Sequence, residues 1–340
     1  MAIPPPIPSV GQNGAAFVQQ PASVNPNGNN RSKLLVIIIA ALSVCIVLLA
    51  VVLCLLLPKG SGGGGSYDMV INGNPCKYTG EVRDMNGETV AHGVGEAKFE
   101  NGDYYKGPLV NGRMQGADAY FKSASGDVYE GEYNDNKFYE GKINGHKFVN
   151  LGLPSGILWA ETNIGASQAA DCGDYFGWGE TASKDISDWR SYKYGTSLFS
   201  LSKYNGHDGH AVLDSIDDAA SVTWGYPCRM PTDAEYTELL STTNCSWTWT
   251  SQPTSAGSSV CGYRVQSKSN GHSVFFPAWG CHYRGGLYSP GEYGCYWSAS
   301  LDPTNAAQAS ALRFAGNLRQ KYNYERYYYS HTVRAVVSVK

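Results

Sequence analysis

Twenty-four consecutive apolar residues, Leu34 to Leu57 (LLVIIIAALSVCIVLLAVVLCLLL), contain no charge, proline or glycine and are flanked by Arg31, Lys33 and Lys59. As a helix the run spans about 36 Å at about 1.5 Å per residue, enough for the hydrocarbon core of a bilayer. A helix buried in a soluble core would carry a polar stripe, and here only Ser43 and two thiols interrupt the apolar surface. A secretory leader would be shorter and end in small residues, which Pro58, Lys59 and Gly60 do not supply. The reading is therefore an uncleaved transmembrane helix over 34–57, with membrane lipid as its partner. Arg31 and Lys33 outweigh Lys59, which places the N-terminus in the cytoplasm and the C-terminal part outside, as a single-pass protein. Residues 1–33 are rich in Pro, Asn and Gly and are expected to be a disordered cytoplasmic tail. Residues 58–68, which include GSGGGGS, read as a flexible linker.

The rest of the chain is poor in charge and rich in turn formers. Its 26 basic and 29 acidic residues leave a net charge of −3, without the basic excess that phosphate neutralisation needs, so nucleic acid is not expected as a partner. Forty glycines and 24 tyrosines point to turn-rich β structure. Over 69–147 the triplets Tyr78-x-Gly80, Tyr105-x-Gly107, Tyr129-x-Gly131 and Tyr139-x-Gly141 recur, the first two intervals being 27 and 24 residues. Asn86-Gly87, Asn101-Gly102, Asn111-Gly112 and Ser125-Gly126-Asp127 supply turns between short hairpin strands. The fullest unit, YTGEVRDMNGETVAHGVGEAKFENGD from Tyr78 to Asp103, resembles a MORN repeat. The resemblance implies a small stack of β-hairpins acting as a spacer or interaction platform.

From 148 to 340 the texture changes, and all eight tryptophans lie at or beyond Trp159. PTDAEYTELL, from Pro231 to Leu240, reads as a helix with Thr232 as its cap and Glu235 completing a capping box. Strands are expected at 262–267, 273–277, 311–315 and 332–339. Loops with few long helices give an expected fold class of α+β. Five ordered motifs, VNLGLPSGILWAETNIGAS, GDYFGWGE, CRMPTDAEYTELL, YGCYWSAS and HTVRAVVS, resemble the Fibrobacter succinogenes major paralogous domain of Bacteroidetes surface proteins. That family is similar to C-type lectin-like folds, which include formylglycine-generating enzymes and the variable proteins of diversity-generating retroelements. The resemblance implies a compact lectin-like domain with an exposed binding face.

Near the C-terminus Tyr, Asn, Ser, Arg and His accumulate, ending KYNYERYYYSHTVRAVV. Aromatic rings beside adaptable polar groups are the composition of paratopes, because tyrosine covers much area at little entropic cost. The expected ligand-binding residues are Tyr296, Trp297, Arg313, Asn317, Tyr322, Asn323, Tyr324, Tyr327, Tyr328, Tyr329, Ser330 and His331. Tyr322 to Tyr324 and Tyr327 to His331 also resemble the residue set produced by retroelement diversification. Tyr327 to Tyr329 cannot all point inward along a strand, because successive side chains alternate faces.

Enzymatic chemistry finds little footing. Ser155 in GLPSGIL does not fit a nucleophile elbow. Cys172, Cys228, Cys245, Cys261, Cys281 and Cys295 allow 15 pairings as three disulfides and show no CxxC spacing. His207, Asp208 and His210, and likewise Asp214, Asp217 and Asp218, offer metal-ligand types without a recognised spacing. No metal, cofactor or catalytic residue is assigned. The function expected from these features is membrane-anchored surface display of a domain that binds a protein or glycan without turnover. A structural envelope protein without a specific ligand is the alternative, and a cysteine-dependent enzyme using Cys281 or Cys295 is a third.

Overall fold

Asn-Gly dipeptides close the hairpins of the first half. Asn86-Gly87 and Asn111-Gly112 both hold positive φ at their two residues, 58° and 88° in the first and 54° and 76° in the second. This is the type I′ geometry, whose twist matches that of the strands it joins. The computed structural model describes residues 65–185, 187–197 and 200–339. Its first ten strands are β1 (Ser66–Ile71), β2 (Asn74–Met85), β3 (Glu88–Phe99), β4 (Tyr104–Val110), β5 (Arg113–Met114), β6 (Gly116–Lys122), β7 (Val128–Asn134), β8 (Lys137–Ile143), β9 (His146–Asn150) and β10 (Ile157–Asn163). They form an antiparallel meander in the order β1-β2-β3-β4-β6-β7-β8-β9-β10, with β5 paired to β4. The last strand, β21 (Arg334–Ser338), joins the far side of β10.

The Tyr-x-Gly triplets have a packing cause. Tyr78 and Tyr105 are fully buried, and each hydroxyl donates to the carbonyl three residues on, Glu81 at 2.8 Å and Pro108 at 2.7 Å. The Tyr78 ring covers Gly95, the cross-strand partner of Gly80, so that a Cβ on Gly95 would collide with the ring. Gly131 and Gly141 face each other in the same way, each leaving no room for a side chain against the other strand's backbone. Glycine is thus required by ring packing at Gly95 and by close backbone approach at Gly131 and Gly141.

Beyond β10 come β11 (Tyr175–Gly177) and the helices α1 (Ala219–Trp224) and α2 (Asp233–Leu240). A three-stranded sheet follows, built from β12 (Cys245–Pro253), β13 (Ser259–Ser267) and β14 (Ser273–Pro277). The remaining strands are β15 (Cys281–Tyr283), β16 (Gly286–Tyr288), β17 (Tyr293–Leu301), β18 (Gln308–Ala315), β19 (Leu318–Glu325) and β20 (Tyr329–Thr332). They form a sheet in the order β16-β15-β20-β17-β18-β19, with β11 paired to β20. The capping box of α2 is present: Thr232 Oγ1 accepts from the Glu235 amide and Glu235 accepts from the Thr232 amide. Arg229 then pairs with the same Glu235 carboxylate at 2.5 and 2.8 Å.

Two expectations are corrected here. Of the described residues 53% are strand and 6% helix, so the fold is mainly β rather than α+β. The helix that suggested a mixed class is real but only eight residues long, and α1 has six. The apolar run at 34–57 lies outside the described residues, as do the tail and residues 58–64 of the linker. Among the described residues no helix is long and apolar enough to cross a membrane, so the expected single-pass location is not supported.

Arg334, at the start of β21, ties the sheets together. Its side chain is fully buried and donates from Nε to Asn163 Oδ1 at 2.9 Å, from Nη1 to the Ala160 and Glu161 carbonyls at 3.0 and 2.8 Å, and from Nη2 to the Phe275 carbonyl at 2.9 Å. The guanidinium carbon stands 4.7 Å over the Phe276 ring. Four acceptors from β10 and β14 therefore converge on one cation.

Two substitutions test these contacts by denaturant unfolding. Gly95→Ala should lose about 1–3 kcal/mol through overpacking against Tyr78, whereas Gly316→Ala, where the added carbon would meet only the Trp249 ring at an ordinary 3.7 Å, should lose less. Arg334→Met should lose about 3–5 kcal/mol, because the carbonyls it serves stay buried without a donor.

Candidate ligand-binding face and the cluster beneath it

Register assembles one face of the sheet β16-β15-β20-β17-β18-β19. Cys295 lies opposite Arg313, Trp297 opposite Ala311, Ala311 opposite Tyr322 and Ala309 opposite Tyr324. Alternation sends all of these side chains to the same side. Ala309 and Ala311 are fully buried and small, and this leaves space above β18 for the neighbouring rings. On β15 and β20, Tyr283 pairs with Tyr329, their rings stacked 4.6 Å apart. Tyr324 then bridges the two groups, 4.7 Å from Tyr329 and 4.8 Å from Tyr322. The C-terminal tyrosines are thus members of one connected aromatic ladder.

The expectation of an outward array of these residues is corrected by their burial. Tyr296, Trp297, Tyr324, Tyr327, Tyr329, Ser330 and His331 are in the core, Arg313 and Tyr328 are half-buried, and Asn317, Tyr322 and Asn323 are exposed. The reason is that β20 is covered on both sides. Tyr329 and His331 lie under Tyr324, while the Ser330 hydroxyl meets that of Ser187 at 2.5 Å. Tyr296 points to the opposite side of β17, where its hydroxyl donates to the Pro277 carbonyl at 2.8 Å. Tyr327 stacks on Trp189 at 3.5 Å.

What remains accessible is a set of rings holding two arginines. Arg284 is exposed, with its guanidinium carbon 4.3 Å from the Tyr328 ring centre and 5.2 Å from that of Tyr283. Arg313 lies between Tyr293 and Tyr322, at 5.0 and 5.2 Å. Among the described residues neither guanidinium forms an ion pair with a carboxylate. Tyr288, half exposed, extends the patch from β16. Sequence reasoning did not single out Tyr283, Arg284, Tyr288 or Tyr293. The available signal was the run HYRGGLY, in which Arg284 and Gly285 take positive φ of 50° and 83° and lift the arginine to a hairpin tip.

Below the rings, Cys281, Cys295 and His331 present donor atoms all within 4.8 Å of one another. Cys295 Sγ lies 3.5 Å from the Tyr324 hydroxyl. The neighbouring Cys295 sulfur and burial push the Cys281 thiol up, while Cys295, beside Cys281, Tyr324 and Arg313, is lowered. Burial pushes the His331 imidazole down to about 3, so that it is neutral at ordinary pH. Neither of its ring nitrogens has a hydrogen-bond partner among the described residues. Rings of Trp297 and Tyr324 enclose it at 4.1 and 4.5 Å. All seven described cysteines are free thiols.

Two other locations are chemically occupied already. A groove of about 960 Å3 is bordered by Asp233, Ser310, Lys321 and Asn323. Its polar groups satisfy one another: Asp233 accepts from Ser310 and from Lys321, both at 2.6 Å, and Asn323 donates to Asp302 at 2.7 Å. The acids considered for calcium are likewise engaged. Asp218 caps α1 and also accepts from the Met230 amide, and Asp214 pairs with Lys203. Asp217 is buried and accepts from Lys193, Lys203 and Tyr204 at 2.8, 2.7 and 2.8 Å. His207 and Asp208 lie on an exposed turn that Asp208 closes through the His210 amide.

Burial alone would raise the Asp217 carboxyl, but its two lysines and the neighbouring tyrosine hydroxyls hold it well below the usual carboxylate range. A depressed folded-state pKa contributes stability above the unfolded value of about 3.9, and that stability disappears as pH falls below it. Thermal melts from pH 7 to pH 2.5 should therefore show the wild type losing stability below about pH 4. Asp217→Asn should be about 3 kcal/mol less stable at pH 7 and should show a shallower decline in that acid window.

Comparison with protein-family models gives no match for this chain, and a search of curated proteins finds no relative.

Proposed function

We propose that the C-terminal half is a recognition module that binds a carboxylate-bearing ligand, a protein or an acidic glycan, without turnover. The observation that carries this reading is the pair of ring-stacked arginines, Arg284 and Arg313, on an accessible face, with no carboxylate partner among the described residues. A guanidinium stacked on a ring keeps its hydrogen-bonding edge free and has already lost most of its rotamer freedom. Tyr and Arg are also the residue types that dominate binding hot spots. Because Tyr322 and Tyr283 pack on the buried Tyr324 and Tyr329, their rings are held in place before any ligand arrives.

The test is a screen of the protein against arrays of neutral and acidic glycans and against a displayed peptide library, followed by titration of the best binder. Arg284→Ala and Tyr322→Ala should each weaken binding about 10-fold or more, with unchanged melting temperature. Binders should be enriched in carboxylates and weaken as salt is raised. Selection of neutral binders only, or affinity unaffected by both substitutions, would exclude this face.

A further inference from the structure

We infer that Cys281, Cys295 and His331 form a zinc site that fastens three strands of the sheet beneath the aromatic face. The three residues come from β15, β17 and β20, which are separate segments in sequence but adjacent in the sheet. Two thiolates and an imidazole are a donor set suited to Zn2+, with a water entering on the half-buried Cys281 side as the fourth, neutral ligand.

His331 is the observation that points to an ion rather than to simple packing. Its side chain is fully buried, and both nitrogens lack a partner among the described residues. A neutral imidazole always carries one donor and one acceptor, so burying both unpaired is costly. A ring placed there only to fill space would be replaced more favourably by an apolar one. Coordination by one nitrogen removes the unsatisfied acceptor.

Geometry and charge agree with this. Zn–S bonds of about 2.3 Å and Zn–N bonds of about 2.0 Å place tetrahedral ligand atoms roughly 3.5–3.8 Å apart. The widest separation in the cluster is 4.8 Å or less, so closure needs a movement of roughly an ångström. Cys281 is only half-buried and can supply it, while also giving the ion a route from solvent. Binding displaces the two thiol protons, and two thiolates with Zn2+ and a neutral imidazole carry no net charge, which suits a dry interior. The Tyr324 hydroxyl, 3.5 Å from Cys295 Sγ, is placed to donate to the bound thiolate. This inference does not depend on the proposed ligand binding, and its test reads metal alone.

The full chain should be purified under reducing conditions, dialysed against zinc and analysed for metal by mass spectrometry. About one Zn2+ per chain is expected for the wild type and for Cys172→Ser, falling to about a tenth or less in Cys281→Ser and His331→Gln. Replacement by Co2+ in the wild type should give thiolate-to-cobalt charge-transfer absorption and the d–d intensity of a tetrahedral ion, a readout that does not require any variant to fold. A Cys281–Cys295 disulfide in the native protein, copper in place of zinc, or equal zinc content in the wild type and Cys281→Ser would overturn the assignment, as would a cobalt spectrum lacking thiolate bands.

Discussion

A single buried cation organises the junction between the sheets. Among the described residues no carboxylate pairs with Arg334; its donors are met by an asparagine oxygen and by main-chain carbonyls. An ion pair would bring in a second desolvated charge, whereas carbonyl dipoles fixed by strands β10 and β14 solvate the guanidinium without one. The arrangement also makes position specific. Carbonyls that face Arg334 do so only if β21 sits in its observed register on β10 and β14 stands alongside. Burial still costs the cation, since its pKa is lowered by desolvation, and the cost is offset by the number of acceptors.

The second half of the molecule uses aromatic rings where the first half uses turns. In the meander, Tyr78 lies against Gly95 and Tyr105 against Gly107, so ring and glycine form a unit. On the sheet from β15 to β20 the same kind of residue builds a ladder with an inner and an outer row. Tyr324, Tyr329 and His331 are the inner row, and Tyr283, Tyr293, Tyr322 and Tyr328 are the outer one. The inner rings set the positions of the outer rings, and the outer rings hold the arginines. A binding face of this kind is stiff because its support is core.

The local signals were legible in the sequence. Asn86-Gly87 and Asn111-Gly112 required left-handed backbone, and Thr232 with Glu235 specified the start of a helix; both appear as read. The strands expected at 262–267, 273–277 and 311–315 fall within β13, β14 and β18. Fold class was misjudged because a well-marked helix announces itself far more clearly than a short strand, and α2 is nearly alone. The binding residues were misjudged for a different reason. Tyrosine has an apolar body and a polar tip, so its composition alone does not distinguish a core ring from a surface ring. Tyr322 and Tyr324 share a strand face and differ only in their distance from the edge of the packed region, which depends on what covers β19. Convergence of Cys281, Cys295 and His331 was likewise hidden, since it depends on β20 being inserted between β15 and β17.

The order of strands has a consequence for how the polypeptide acquires this shape during synthesis. Strands β1 to β9 pair with near neighbours, so each hairpin can zip up soon after it leaves the ribosome. β10 is different: one of its edges waits for a strand that is made some 171 residues later, counted from Asn163 to Arg334. Until then Asn163 and the nearby carbonyls have no guanidinium, and a row of unpaired backbone groups stays open to other chains. The nascent protein is therefore most exposed to misassembly in the interval between completing its hairpins and receiving its final strand.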